Sequence, residues 1–212
     1  MNENLLRYKN DLVYSVFDFE GENLNLHTSK PWQFACVTRT QKKILERHDI
    51  FIKWPDLNIS KDAERITRFD RARWEREGVP PKEAFKTMNG VFEKSDYVGG
   101  HNLFGYDIDI YRSMCRVLGI EPLPIHYKTL DTQCLVKSLP EKLDIPFKEG
   151  DDLFEWQMKL SNKIVRKVGY ATLGASCKIF EVDYDKNKAH DALYDVDVNA
   201  QVLMKAIWKI AI

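Results

Sequence analysis

The first residues whose types and spacing suggest chemistry are two acids at the end of an apolar stretch. Residues 12–17 are mostly β-branched or aromatic, and Asp18 and Glu20 follow with one residue between them. Such a run predicts a buried strand, on which side chains two residues apart share a face, about 7 Å from each other. Two carboxylates placed so repel each other unless a cation lies between them, which points to a metal site. The alternative is a strand that runs out into solvent, where acids are common.

Two later stretches carry acids in comparable positions. Asp107 follows the glycine-containing segment 100–106 and is predicted in the opening turns of a helix, with Asp109 as a rival. Asp195 is predicted in the first turns of the last helix, and His190 lies on the loop before it. A structural role is an alternative for each acid, because a carboxylate near a helix N-terminus is stabilised by the helix dipole.

These residues need a scaffold that brings distant parts of the chain together. Three predicted strands, separated by short polar links, indicate an antiparallel meander: residues 12–20, 32–37 and 48–54. A fourth strand at 97–100 leads through a tight turn into a helix that Gly119 ends. Helices and loops alternate from there to a last helix at 192–210. This order predicts an α/β fold, with a mixed sheet flanked by helices.

Further helices are predicted at residues 60–77, 82–94, 130–139, 152–168 and 172–180. The first of them is expected to be partly irregular, and its five arginines are assigned to solubility more readily than to substrate. The helix at 152–168 combines an apolar stripe with a basic edge that includes Lys163 and Lys167, and the chain has no acid between Trp156 and Gly169. That edge either guides a phosphate backbone or is merely solvated.

Composition limits the classes of protein that fit. With 212 residues, 44% of them hydrophobic, the chain is predicted to be one domain, 1–212, with a short extension at 1–10. The 32 Lys and Arg residues balance 32 Asp and Glu residues, which argues against a sequence-blind duplex coater. The four cysteines are too dispersed for a zinc knuckle or a disulfide framework. The absence of a signal core and of a long apolar run predicts a soluble, cytoplasmic protein.

The three acidic stretches together resemble the motifs of the DnaQ-like 3′-to-5′ exonucleases, in the DEDDh subgroup of the ribonuclease-H-like superfamily. The matching patterns are Asp18-x-Glu20, Asn102-x-x-x-Tyr106-Asp107 and His190-x-x-x-x-Asp195. Their order and separations also fit, and the resemblance covers residues 12–210. One such motif carries little information, whereas three in order on suitable elements are specific.

The resemblance implies a mixed five-stranded sheet, two Mg²⁺ or Mn²⁺ ions, and release of nucleoside monophosphates from a 3′ end by a two-metal mechanism. By position, Asp18, Glu20, Asp107 and Asp195 match the metal ligands, and His190 matches the general base. Four carboxylates without a thiolate suit these two ions. A free histidine has a pKa of about 6.5, which suits proton transfer near neutral pH.

Residues that contact the substrate are less well defined by the motifs. Asn102 matches a position close to the substrate strand in the family. Many members have a threonine pair and a glycine after the motif glutamate, whereas this chain reads Gly21-Glu22-Asn23-Leu24, so only Leu24 is kept as a candidate. Phe19 and Tyr106 are available to stack on bases, with packing in the core as the favoured alternative.

These observations predict a stand-alone, metal-dependent exonuclease acting on the 3′ end of single-stranded nucleic acid, DNA or RNA. Any proofreading would then serve a separately encoded polymerase, and no membrane partner is expected. The alternative is a catalytically silent module on the same fold that binds nucleic acid or a protein. The intact set of acids argues against it, because a silent copy has no physical reason to keep mutually repelling carboxylates.

Overall fold

A mixed five-stranded sheet lies at the centre of the protein. The structure, a computed structural model, describes residues 5–139, 147–148, 150–163 and 171–212. The strands are β1 (Tyr14–Gly21), β2 (Pro31–Arg39), β3 (Ile44–Phe51), β4 (Tyr97–Gly100) and β5 (Thr129–Asp131). They are ordered β3-β2-β1-β4-β5, with antiparallel pairing among β1, β2 and β3 and parallel pairing of β4 with β1 and β5. The predicted meander and mixed sheet are confirmed.

Helices cover both faces of this sheet. Those in the described residues are α1 (Lys61–Thr67), α2 (Arg71–Glu77), α3 (Pro81–Lys94), α4 (Asp107–Leu118), α5 (Thr132–Lys137), α6 (Leu153–Ser161), α7 (Leu173–Phe180) and α8 (Ala192–Lys209). Short 3₁₀ turns lie at Leu6–Tyr8, Leu103–Gly105, Ile125–Lys128 and Lys186–Lys188. None of the helices among these described residues is long and apolar enough to span a bilayer.

The central strand β1 separates two apolar cores. Val16 packs in the core formed with α5, α6, α7 and α8, whereas Phe17 and Phe19 pack in the core formed with α3 and α4. Because side chains alternate along a strand, Asp18 and Glu20 share the face of Val16. The two motif acids are therefore directed towards the side of the sheet that α8 covers.

Two predicted elements have different bounds in the structure. The third strand was expected at residues 48–54 but runs from Ile44 to Phe51. Its first half is exposed, and the two apolar residues Ile44 and Leu45 are adjacent, so they do not alternate with polar residues as in a half-buried strand. The helix expected at 130–139 is instead strand β5 followed by α5. The sequence reading missed β5 because three residues are too few to show an alternating pattern.

The segment predicted as one helix at 60–77 forms two. Arg68 ends α1 in a left-handed conformation with φ of 54°, and Asp70 starts α2 by accepting a hydrogen bond from the Arg73 N–H at 3.0 Å. The helix predicted at 152–168 ends at Ser161. Its expected continuation over residues 164–168 lies outside the described residues.

Solubility is the wrong role for one of the five arginines. Arg73 donates to a carboxylate oxygen of Asp49 at 2.8 Å and to one of Glu77 at 2.9 Å, and its guanidinium lies 4.5 Å from the ring centre of Phe51. Next to it, the indole N–H of Trp74 donates to the carbonyl of Ile52 at 2.8 Å. These contacts hold α2 against β3, so the charged segment is part of the packed structure.

Candidate active site

A cavity of about 680 Å³ lies at the carboxyl end of β1. Asp18, Glu20, Asp107 and His190 line it. Residues of α1 also line the cavity, although none of the three motifs lies on that helix. Four of the five predicted catalytic residues therefore face one space, although they come from three distant parts of the chain.

Asp107 is fixed to β1 by a backbone hydrogen bond. It is the first residue of α4, and its Oδ1 accepts from the Phe19 N–H at 2.8 Å. Phe19 lies between the two motif acids of β1, so this bond brings the third acid beside them. Only 2% of Asp107 is exposed, which means that its charge is almost fully removed from bulk water.

Asp195 reaches the same place from the first turn of α8. Asp191 caps this helix by accepting from the Tyr194 N–H at 3.1 Å. The Oδ2 of Asp195 accepts from the His190 N–H at 2.8 Å, and His190 is held in a left-handed conformation with φ of 65°. Left-handed backbone in a residue other than glycine is strained, and such strain is concentrated at functional sites.

Burial raises the pKa of all four carboxylates, and the charges of neighbouring site acids raise the pKa of Asp18, Glu20 and Asp107 further. Burial, followed by the charge of Asp195, raises the pKa of Asp18 from 3.8 to about 7. Burial also raises the pKa of Glu20 well above 4.5, and the charges of Asp18, Asp107 and Asp195 add to it. Asp18 and Glu20 keep part of their surface exposed, and both line the cavity.

A hard divalent cation such as Mg²⁺ requires oxygen ligands. All four acids offer oxygen ligands, and the Oδ1 of Asp195 is buried without a hydrogen-bond partner among the described residues. A cation would reverse the repulsion and satisfy that oxygen. No three His, Cys, Asp or Glu side chains in the described part of the chain are already arranged to hold a metal ion. The ligands therefore fit chemically, without forming a finished coordination shell.

Sequence reasoning missed one buried acid near the site, Asp131, at the end of β5. Its carboxylate accepts from the N–H groups of Asn102 at 3.0 Å, Phe104 at 3.2 Å and Gln133 at 2.9 Å. Asp131 thus holds the turn that leads into Asp107 and also caps α5. Its N-cap pattern in the sequence was the only available signal, because the bonds to residues 102 and 104 depend on the pairing of β4 with β5.

Replacing Asp131 by alanine is expected to lower the free energy of unfolding by about 3 kcal/mol, because it strands buried N–H groups in addition to removing a cap. Asp152→Ala is the matched control. Asp152 caps α6 by accepting from the Glu155 N–H at 2.9 Å and is exposed, so its loss should cost about 1 kcal/mol. Urea unfolding of both variants measures the difference. Equal losses would show that Asp131 is no more than a helix cap.

The sequence after Glu20 departs from the family pattern for a structural reason. A Cβ at Gly21 would collide with the hydroxyl of Tyr106 and would lie 2.9 Å from that of Ser29. Glu22 is buried and accepts from the N–H groups of Lys30 at 3.3 Å and Asn58 at 3.0 Å. A larger residue at 21 does not fit, and Glu22 holds the neighbouring loop.

Of the predicted aromatic, apolar and amide substrate contacts, three line the cavity and one is buried in the core. Leu24, which is 86% exposed, lines the cavity together with Asn102 and Tyr106. Phe19 is only 2% exposed and packs against Phe34 at 5.2 Å between ring centres, so it is a core residue and its proposed stacking on bases is wrong.

The predicted basic edge is only partly within the structure. Lys163 is exposed and lies beyond the end of α6, so it is not on a helix face. Lys167 lies outside the described residues. The proposed contact of this edge with a phosphate backbone stays a prediction.

Comparison with known proteins agrees with this geometry. A sequence model of the family described as Exonuclease, RNase T, matches residues 15–203. A DNA polymerase III of the PolC type from Ureaplasma parvum serovar 3 is 26% identical over 191 residues, which is 90% of this chain and 11% of that protein. The chain thus spans a small part of this relative.

Solved structures share the fold. Exonuclease I of E. coli in complex with a dT13 oligonucleotide has a TM-score of 0.69 at 17% identity, covering 95% of this chain and 42% of that one. Exonuclease I of Methylocaldum szegediense has a TM-score of 0.67 at 17% identity, covering 92% and 40%. With most of the strands, helices and motifs within the matched region, the chain belongs to the exonuclease family, among the DnaQ-like nucleases of the ribonuclease-H-like superfamily.

Proposed function

We propose that this protein is a DEDDh-type exonuclease that hydrolyses single-stranded nucleic acid, with DNA favoured and RNA as an alternative, from its 3′ end. The observation that carries the proposal is that Asp18, Glu20, Asp107 and His190 line a single cavity. Asp195 is a fourth acid, close enough for its charge to raise the pKa of Asp18 and Glu20. Repulsion of this kind destabilises a fold until a bound cation neutralises it, and strongly shifted pKa values of this kind are concentrated at functional sites. Mg²⁺ or Mn²⁺ is the partner that such oxygen ligands prefer.

The acids would hold two such ions in the proposed mechanism. Asp18, Glu20, Asp107 and Asp195 are the ligands we assign. The ions, when bound, would activate a water molecule and neutralise charge on the departing 3′ oxygen. Asp107 is held against β1 by its bond from the Phe19 N–H, which fixes this carboxylate beside the two acids of that strand.

His190 is the proposed general base. Its side chain is exposed and lines the cavity, while its backbone is tied to Asp195 through the N–H. The imidazole is therefore free to accept a proton from water, and the loop cannot move without breaking a bond to a ligand. His101, the other histidine of the cavity, bonds Thr132 at 3.0 Å, and burial lowers its pKa to about 4. That environment suits a structural role.

The cavity also offers groups for the terminal nucleotide. Leu24 gives an exposed apolar surface, and Asn102 and Tyr106 line the cavity beside the acids. E. coli Exonuclease I has been solved with single-stranded dT13 and dA16 oligonucleotides, and the relative in U. parvum is a polymerase. A single-stranded substrate and cooperation with a polymerase are proposed for this chain on those grounds.

The direct test is digestion of two single-stranded oligonucleotides, one labelled at the 5′ end and one at the 3′ end. With Mg²⁺ or Mn²⁺, the 5′-labelled strand should give a descending ladder, and the 3′-labelled strand should release labelled mononucleotide at once. Chelator should stop both reactions. Immediate release of labelled mononucleotide from the 5′-labelled strand would show 5′-to-3′ polarity and contradict the proposal. Absence of cleavage in the presence of metal would favour the silent binding module. The same pair in RNA reports on the 2′-hydroxyl.

A further inference from the structure

One arginine of the charged segment bonds the turn that precedes His190. Arg68 lies at the junction of α1 and α2, and its Nη1 donates to the carbonyl of Asn187 at 2.7 Å. The two residues are 119 positions apart in the chain. Arg68 also lines a cavity of about 150 Å³ with His190 and Asp191, and His190 faces the larger cavity as well.

The residue that Arg68 contacts belongs to the turn that carries His190. The side chain of Asp185 accepts from the Asn187 N–H at 2.9 Å, and the Asp185 N–H donates to the Tyr194 hydroxyl at 2.6 Å. These bonds are internal to residues 185–194. Among the hydrogen bonds of the described residues, the one from Arg68 is the bond that ties the 186–190 turn to a residue outside 185–195.

Arg68 and the histidine that follows its partner residue by three positions are both in left-handed backbone conformations. Arg68 has φ of 54° and His190 has φ of 65°. Neither residue is glycine, so surrounding contacts must hold each of them there. The left-handed turn at Arg68 ends α1 and separates it from α2, and the guanidinium of this residue meets the Asn187 carbonyl three residues before His190. The Arg68–Asn187 hydrogen bond therefore joins the end of α1 to the loop that carries His190.

We propose that Arg68 is a positioning residue that holds the loop of the general base against the acids. The inference rests on the proposed function. It assigns a role within the site to a residue outside the three motifs. Arg68 acts through the Asn187 carbonyl and through the loop, and does not itself touch the reacting atoms. Its contribution should therefore be to turnover and not to substrate affinity.

The test compares three variants. Arg68→Asn removes the guanidinium but keeps a residue that tolerates left-handed backbone. Arg68→Lys keeps a cationic donor. Arg65→Gln is the matched control, because Arg65 lies on α1 and only pairs with Asp62 at 3.4 Å in solvent. We expect Arg68→Asn to lower kcat about tenfold, the cost of one charge-assisted hydrogen bond, with KM within about twofold. Arg68→Lys should recover much of the loss, and Arg65→Gln should match the parent.

Hydrogen–deuterium exchange gives a second readout that does not depend on catalysis. The amides of residues 185–191 should exchange faster in Arg68→Asn and at the parental rate in Arg65→Gln. Unchanged exchange, or a raised KM with unchanged kcat, would overturn the positioning role. If the parent cleaves and Arg68→Asn is equally active, the positioning role of Arg68 is overturned and the proposed function stands. An inactive parent protein would instead overturn the proposed function, and the role of Arg68 with it.

Discussion

Replacing His190 with asparagine is expected to lower kcat by about 10²- to 10⁴-fold, the range typical of a lost general base. Asparagine is chosen because His190 has φ of 65°, and asparagine tolerates that conformation better than alanine does. The bond from the residue 190 N–H to Asp195 can then persist, so the ligand set should stay in place. Steady-state cleavage of a 5′-labelled strand measures the loss.

Binding of Mn²⁺ should be nearly unchanged in the same variant, because the four acids and not the imidazole are the proposed ligands. Isothermal titration calorimetry checks this point. His48→Asn is the control, since His48 lies on edge strand β3, pairs with Glu46 at 3.2 Å and is remote from the motifs. Parental turnover in His190→Asn would disprove the base assignment, and lost Mn²⁺ binding would make His190 a ligand.

Replacing Asp18 with asparagine is expected to abolish cleavage and yet to stabilise the metal-free protein at pH 8. Burial and the charge of Asp195 raise the pKa of Asp18 from 3.8 to about 7. The folded state therefore keeps a proton that the unfolded state releases near pH 4, and stability falls as the pH rises from about 4 to about 7. Asparagine carries no charge and removes this penalty.

Melting temperatures in chelator measure the effect. At pH 8, Asp18→Asn is expected to remove a penalty of about 2 kcal/mol from this partly exposed carboxylate. A chain of this size gains about 2–4 °C per kcal/mol, so the variant should melt about 4–8 °C above the parent. At pH 4 the two should nearly coincide, because Asp18 is protonated in the folded parent. Added Mn²⁺ should raise the melting temperature of the parent more than that of the variant.

Asp11→Asn is the control for this experiment, because Asp11 is exposed and its loss removes no repulsion. It should melt with the parent at both pH values. A variant Asp18→Asn that melts below the parent at pH 8 would show that repulsion among the acids is not the dominant energy at the site.

The sequence by itself determined most of the scaffold and the set of candidate acids. Apolar strands and helix caps are local signals, which is why β1, β4, α4 and α8 were predicted within about two residues of their observed bounds. Asp18, Glu20, Asp107, His190 and Asp195 were assigned by resemblance to the exonuclease motifs, each of which is a short stretch of sequence. Edge strand β3 begins with two adjacent, exposed apolar residues and not with an alternating pattern, and β5 is only three residues long, so the first was misplaced and the second missed.

Only the tertiary structure decided which of these residues meet and what holds them. Asp107 joins β1 through the Phe19 N–H, Asp131 fixes the turn before it, and Arg68 reaches Asn187, each across at least 27 residues. Such contacts leave no periodic trace, because they depend on strand order and on single left-handed residues. Alternation along β1 turns Phe19 to the face opposite Asp18 and Glu20, and the tertiary structure shows that α3 and α4 cover that face, so Phe19 is a core residue.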